Sequence, residues 1–152
     1  MLASASLLAS LAAGTASVSL TCSLALAAQE ALGVEEHGLV AASFLPPVLE
    51  YYQSRRPASE RLARLAREIS GADRRGGPPT TSGQAARLLR LLGAPAGLRD
   101  LGVSRGELEF KAGEIALRAL ELAPGRLAVE RPTVEELRGI IARAYNWGEQ
   151  AT

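Results

Sequence analysis

The sequence predicts an all-α fold, on three observations. Hydrophobic residues make up 47% of the chain but aromatic residues only 4%, so the core must be built from Leu and Ala, which suits close-packed helices better than a sheet. Apolar residues recur at i, i+3, i+4 and i+7 in segment after segment, the stripe of an amphipathic helix. No segment alternates apolar and polar positions with β-branched residues, so no strand is expected. At 152 residues the chain can form one domain with its own core. No internal repeat is present, and residues 1–152 read as one bundle of about six to eight helices. Within it, 1–32 form Ala/Ser-rich buried helices and 33–152 the remaining ones.

Residues 1–28 carry no charge and are rich in Ala, Leu and Ser. The small residues of Leu24–Ala28 before Gln29 suit a secretory signal, but the basic flank is missing. The length would admit a membrane span, yet six serines, two threonines and Gly14 weaken it, and no Lys or Arg orients it. The favoured reading is a pair of helices broken near Gly14 and buried in the domain, because a helix apolar all round belongs in a core.

Gly33 to Tyr52 reads G-V-E-E-H-G-L-V-A-A-S-F-L-P-P-V-L-E-Y-Y. It holds the only histidine, His37, at a Gly-flanked helix boundary. Pro46 and Pro47 follow nine and ten positions later; lacking N–H groups, they require the helix beginning after Gly38 to kink or restart. Arg55-Arg56-Pro57 ends the segment. From Ser59, the residues Leu62, Leu65, Ala66 and Ile69 form an apolar stripe, with Arg61, Arg64, Arg67 and Glu68 on a solvated face.

Gly71 to Gly83 reads as a Gly/Pro/Thr loop whose Arg74-Arg75 pair is solvated. Thr81 and Gln84, in capping-box spacing, open a helix with the stripe Ala85, Leu88, Leu89 and Leu92; Gly93 and Pro95 stop it. Gly97–Val103 is a connector. Ser104 and Glu107 repeat the capping spacing before a helix through Leu108, Ala112, Ile115, Ala119 and Leu122, closed by Pro124-Gly125. Thr133 and Glu136 cap the last helix, whose stripe is Val134, Leu137, Ile141 and Ala144, with Trp147 sealing the end of the core.

Charge narrows the function classes. A net charge of +1 gives no reason to expect nucleic acid as a partner. The distribution is uneven: residues 1–54 hold four acids and no Lys or Arg, and the rest holds 17 basic and 12 acidic residues. No basic cluster is dense enough to be an electrostatic footprint, and 16 Arg against one Lys reads as coding bias. The single cysteine, Cys22, excludes an intramolecular disulfide and suits a reducing compartment, so a cytoplasmic location is expected, with secretion as the alternative.

The residues offer little catalytic apparatus. A Ser-His-Asp arrangement needs an oriented base, and no G-x-S-x-G elbow is present. Zinc sites need three or four donors, which one His and one Cys cannot supply. Glu35 and Glu36 adjoin His37 but point in different directions from it. No phosphate loop or dinucleotide fingerprint appears. No residue is offered as catalytic or cofactor-binding. His37 keeps two readings: a helix-start residue bonded to a nearby carbonyl, or a metal ligand whose partners lie elsewhere.

The stretch from His37 to Tyr52 resembles the histidine-containing segment of iron-containing (group III) alcohol dehydrogenases, including the maleylacetate reductase branch. His37, Gly38, Leu45, Pro46, Leu49 and Tyr51 stand where that pattern puts them. Leu7–Gly14 is similar to an upstream small-residue helix of the family. Leu91–Pro95 with Leu98–Val103, and Arg131-Pro132-Thr133 with the helix to Tyr145, resemble later segments. The likeness covers most of residues 7–146.

The resemblance implies the C-terminal helical domain of a two-domain oxidoreductase, of the dehydroquinate synthase-like type, using Fe or Zn and NAD(P). The nucleotide-binding half, and the Asp and His that supply two metal ligands, would lie before the region matching Met1. Of the other two ligands, the later matches His37 and the earlier falls on Ser23. A further family histidine near the substrate falls on Ala27. The residues present therefore do not support the family's metal or cofactor, and the isolated chain is expected to be inactive. A nucleotide-binding domain partner or a homo-oligomer is the expected association. The alternatives are a non-catalytic helical interaction module and a secreted or membrane-tethered helical protein.

Overall fold

The computed structural model describes residues 3, 4, 7, 19–56, 58–70, 80–123 and 131–149. Among them are six α-helices, two short 3-10 turns and no strand, beside helical residues at 3, 4 and 7. Ala3, Ser4 and Leu7 are exposed, counter to the burial expected of the first segment. The expected break at Gly14, the loop residues 71–79 and the Pro124-Gly125 stop lie outside the described residues.

Helix α1 (Leu20–Leu32) begins where the Ser19 hydroxyl accepts the Cys22 N–H at 3.3 Å. It ends at Gly33, whose φ of 68° is a left-handed conformation that only glycine adopts without strain. Its face Leu20, Ser23, Leu24, Ala27 and Ala28 is buried, as expected for this second uncharged segment.

Helix α2 (His37–Gln53) runs as one element through Pro46 and Pro47, so of the kink or restart expected there the restart does not occur. Two interior prolines withhold the N–H groups that the Ala42 and Ser43 carbonyls would accept, at a cost of about 3 kcal/mol each. Tertiary burial offsets this, because both rings are buried beside Val40, Phe44, Val48 and Tyr51. Burying a side chain the size of Phe44 stabilises by about 1.5–3 kcal/mol.

Helix α3 is Ala58–Ser70 and α4 is Thr81–Leu91. The α4 cap is Thr80 rather than Thr81: the Thr80 hydroxyl accepts the Gly83 N–H at 3.1 Å. Thr81 turns inward, and its Oγ1 donates to the Leu62 carbonyl at 2.7 Å, tying α4 to α3. The stripes expected to be buried here are mostly not. Leu65, Ile69, Leu88 and Leu92 are exposed, and among the described side chains of α3 only Ala66 is fully buried. These helices meet their neighbours through small residues, Ala66 and Ala86, which leave the longer apolar side chains outside.

A 3-10 turn (Leu98–Leu101) follows, with Leu98 fully buried. Helix α5 (Arg105–Leu122) starts at Ser104, whose hydroxyl accepts the Glu107 N–H, and buries Leu108, Ala112, Ile115 and Ala119 as the periodicity predicts. Helix α6 (Val134–Ala144) carries a complete capping box: Thr133 Oγ1 accepts the Glu136 N–H at 3.2 Å, and Glu136 Oε2 accepts the Thr133 N–H at 2.8 Å. Leu137, Ile140, Ile141 and Ala144 are buried, and Trp147 closes the end at 4% exposure.

Helix α1 packs on α5 and α2, and α6 packs on the same two, so these four surround the core; α3 and α4 flank α2. No helix among the described residues is long and apolar enough to cross a membrane.

Candidate functional site

The loop between α1 and α2 is four residues, 33–36, and one side chain organises it. Gln29, in the last turn of α1, accepts the Gly33 N–H on its backbone carbonyl at 2.9 Å. Its side-chain Nε2 donates to the Val34 carbonyl at 3.1 Å and the Glu35 carbonyl at 2.9 Å. Both amide hydrogens are then spent, so Oε1 is the atom presented to His37 Nδ1, 2.6 Å away. An amide oxygen can only accept, so Nδ1 must carry the proton. Any neutral form of the His37 ring held by this bond is the Nδ1–H tautomer, and the ring is exposed as the first residue of α2.

His37 is therefore a hydrogen-bonded helix-start residue, its partner a carboxamide rather than a backbone carbonyl. Gln29 has no linear signature and was not picked out in the sequence. Only the left-handed Gly33, by reversing the chain, brings it back onto His37.

The other two family positions offer no donor. Ser23 is fully buried in α1, and its Oγ donates to the Leu20 carbonyl at 3.1 Å, so the hydroxyl is engaged within its own helix. Ala27 is buried and has no polar side-chain atom. Glu35 and Glu36 are exposed, and among the described residues no three His, Cys, Asp or Glu side chains are grouped to hold a metal ion. One imidazole nitrogen does not make an iron or zinc site, so the residues described here do not fit the metal.

Around this site the surface is pinned by charge. Arg118 of α5 reaches Glu30 of α1 with two bonds, Nε to Oε2 at 2.7 Å and Nη2 to Oε1 at 3.2 Å. Those bonds hold the Glu30 carboxyl below its usual range and push the Arg118 guanidinium upward. Lys111 of α5 donates to the Ala31 carbonyl in the same α1 turn. The frame that carries Gln29 is thus tied to α5 on one side and to the His37 loop on the other.

The described residues thus form an all-helical domain with one imidazole at a helix start and no grouped metal donors. The model of the Fe-containing alcohol dehydrogenase family, C-terminal, matches residues 1–145, and the chain belongs to that family. The fold is similar to the crystal structure of a 1,3-propanediol oxidoreductase, at TM-score 0.63 and 25% identity, covering 84% of this chain and 33% of that one. It is also similar to an iron-containing alcohol dehydrogenase from Thermococcus thioreducens, at TM-score 0.64 and 27% identity, covering 84% of this chain and 32% of that one. The chain spans about a third of the length of either structure. No curated protein sequence matches.

Proposed function

We propose that this polypeptide is a metal-degenerate C-terminal domain of an iron-containing alcohol dehydrogenase-like oxidoreductase, related to the maleylacetate reductase branch and inactive on its own. One observation carries the reading: the position matching the family's earlier histidine is a buried serine bonded to its own helix, which leaves His37 as a single donor. In the family scheme a metal polarises an alcohol or carbonyl oxygen while hydride passes to or from a nicotinamide. No step of that scheme is assigned to this chain, because one donor cannot position the metal.

The test is direct. Purified chain is incubated with NAD(P)H, Fe or Zn, and short aldehydes or maleylacetate. No turnover above buffer is expected, and turnover abolished by His37→Ala overturns the reading. A second reading, self-association through an unpartnered face, is favoured by Ile69, Leu88, Leu91 and Leu92, all exposed. The first, third and second of these also border a groove of about 360 Å³ between α3 and α4. Sedimentation giving only monomer at high concentration removes that second reading.

A further inference from the structure

A second site lies away from His37, where the middle of α2, the start and outer face of α4, and the end of α6 meet. They enclose an open cleft of about 510 Å³, within the range of small-ligand pockets. Its lining includes three arginines, Arg87 and Arg90 of α4 and Arg143 of α6, against a single carboxylate, Glu50 of α2. Pro47 and Trp147 supply apolar wall.

Two of the lining residues each carry a donor nitrogen closed to solvent and without a hydrogen-bond partner among the described residues. Trp147 is 4% exposed, and its indole Nε1–H has no acceptor. The buried Arg143 Nε is likewise without a hydrogen bond; Glu50 Oε2 stands 3.5 Å from it, close enough for charge attraction but beyond a good hydrogen bond.

The N-terminus of α4 is not what would hold it. Thr80 Oγ1 already takes the Gly83 N–H, and the Gln53 carboxamide, with its oxygen turned to α4, accepts the Thr81 and Ser82 N–H groups at 2.8 Å. Recognition falls to the arginines.

We propose that this cleft binds a phosphoryl group, either free phosphate or a phosphate monoester, with Arg87, Arg90 and Arg143 as its cationic wall. Charge selects phosphate over carboxylate. Three guanidiniums against one carboxylate leave two positive charges, which a phosphate monoester of about −1.5 to −2 neutralises and a monocarboxylate does not. The planar guanidinium fork also matches phosphate oxygens in pairs. The site is independent of the metal question and uses none of the residues around His37.

The chain has one tryptophan, so a single indole N–H resonance reports on the cleft. The full chain is titrated at constant ionic strength, balanced with chloride, using inorganic phosphate, phenyl phosphate and acetate in separate arms. A saturable shift of the indole resonance is expected with one or both phosphate probes, the tighter of the two identifying the source, and only a weak response to acetate. Arg87→Ala/Arg90→Ala, both exposed positions that preserve the fold by circular dichroism, is expected to weaken binding at least tenfold. Arg61→Ala, on the outer face of α3, should titrate as wild type. The proposal is overturned by a non-saturating shift, by acetate binding as tightly as phosphate, by an unchanged double variant, or by equal weakening in Arg61→Ala.

Discussion

Replacing Gln29 by alanine tests how the His37 loop is built. The substitution removes two donated bonds, to the Val34 and Glu35 carbonyls, and the accepted bond from His37 Nδ1. A net hydrogen bond contributes about 0.5–1.5 kcal/mol, and water can replace part of each at this half-exposed loop. The expected loss is about 1–2 kcal/mol in urea unfolding, with an unchanged denaturant slope. The second readout is the His37 tautomer, followed by long-range nitrogen NMR on the only histidine in the chain. Wild type should be held as Nδ1–H; Gln29→Ala should relax to the mixture of a free imidazole. Gln29→Glu separates the roles, because a carboxylate still accepts from Nδ1–H but cannot donate to the two carbonyls. It should lose stability and keep the tautomer. A wild-type ring with its proton on Nε2, or a Gln29→Ala ring unchanged from wild type, refutes the reasoning.

Gly97 has a φ of 156°, and a Cβ there would lie 2.3 Å from the Tyr145 carbonyl oxygen and 2.6 Å from its carbon. Arg99 N–H to Tyr145 O at 3.0 Å and Gly148 N–H to Ala96 O at 3.1 Å hold the two backbones together, so neither can yield cheaply. Gly97→Ala should cost about 2–5 kcal/mol in urea unfolding, and a loss below about 1 kcal/mol would contradict this packing. Thr133→Ala removes the side-chain half of the α6 capping box and should cost about 1 kcal/mol by the same assay, with no loss if α6 is held by packing alone. Burial first, and the neighbouring Tyr51 second, raise the proton affinity of the Tyr52 phenol in the folded state. Its contribution to stability is therefore complete below the unfolded phenol range, about pH 10, and is lost as pH rises through the higher folded value. Tyr52→Phe should flatten that alkaline decline, and an identical decline in the variant would contradict it.

Much of the four-helix core could be read from the chain, because α5 and α6 carry the two signals that survive in one dimension. Ser104 and Thr133 cap them at the expected positions, and Leu108, Ile115, Leu137 and Ile141 are buried where the periodicity puts them. The same signals misled in α3 and α4. A stripe such as Leu62, Leu65 and Ile69 states that a helix has an apolar side, not that a neighbour covers it, and Leu65 and Ile69 are exposed. The Thr81–Gln84 spacing points to a cap one residue late, because only the fold gives Thr81 the Leu62 carbonyl and leaves Thr80 as the cap. The propensity rule against Pro46 and Pro47 yielded to burial of both rings in a helix on which α1, α3, α4 and α6 all pack. At the site, His37 stood out because it is the only imidazole. Its partner Gln29 did not, because their bond depends on a chain reversal at Gly33 that brings residues eight apart together.

The most direct measurement is a titration of the purified chain with Fe(II), under anaerobic conditions, and with Zn(II), by calorimetry and by the His37 ring resonances. If Ser23 and Ala27 have taken the donors out of the pocket, His37 alone should give only weak, non-stoichiometric binding, little changed in His37→Ala. A tight one-to-one isotherm that disappears in His37→Ala would show that this polypeptide still assembles a metal centre, and would contradict the account.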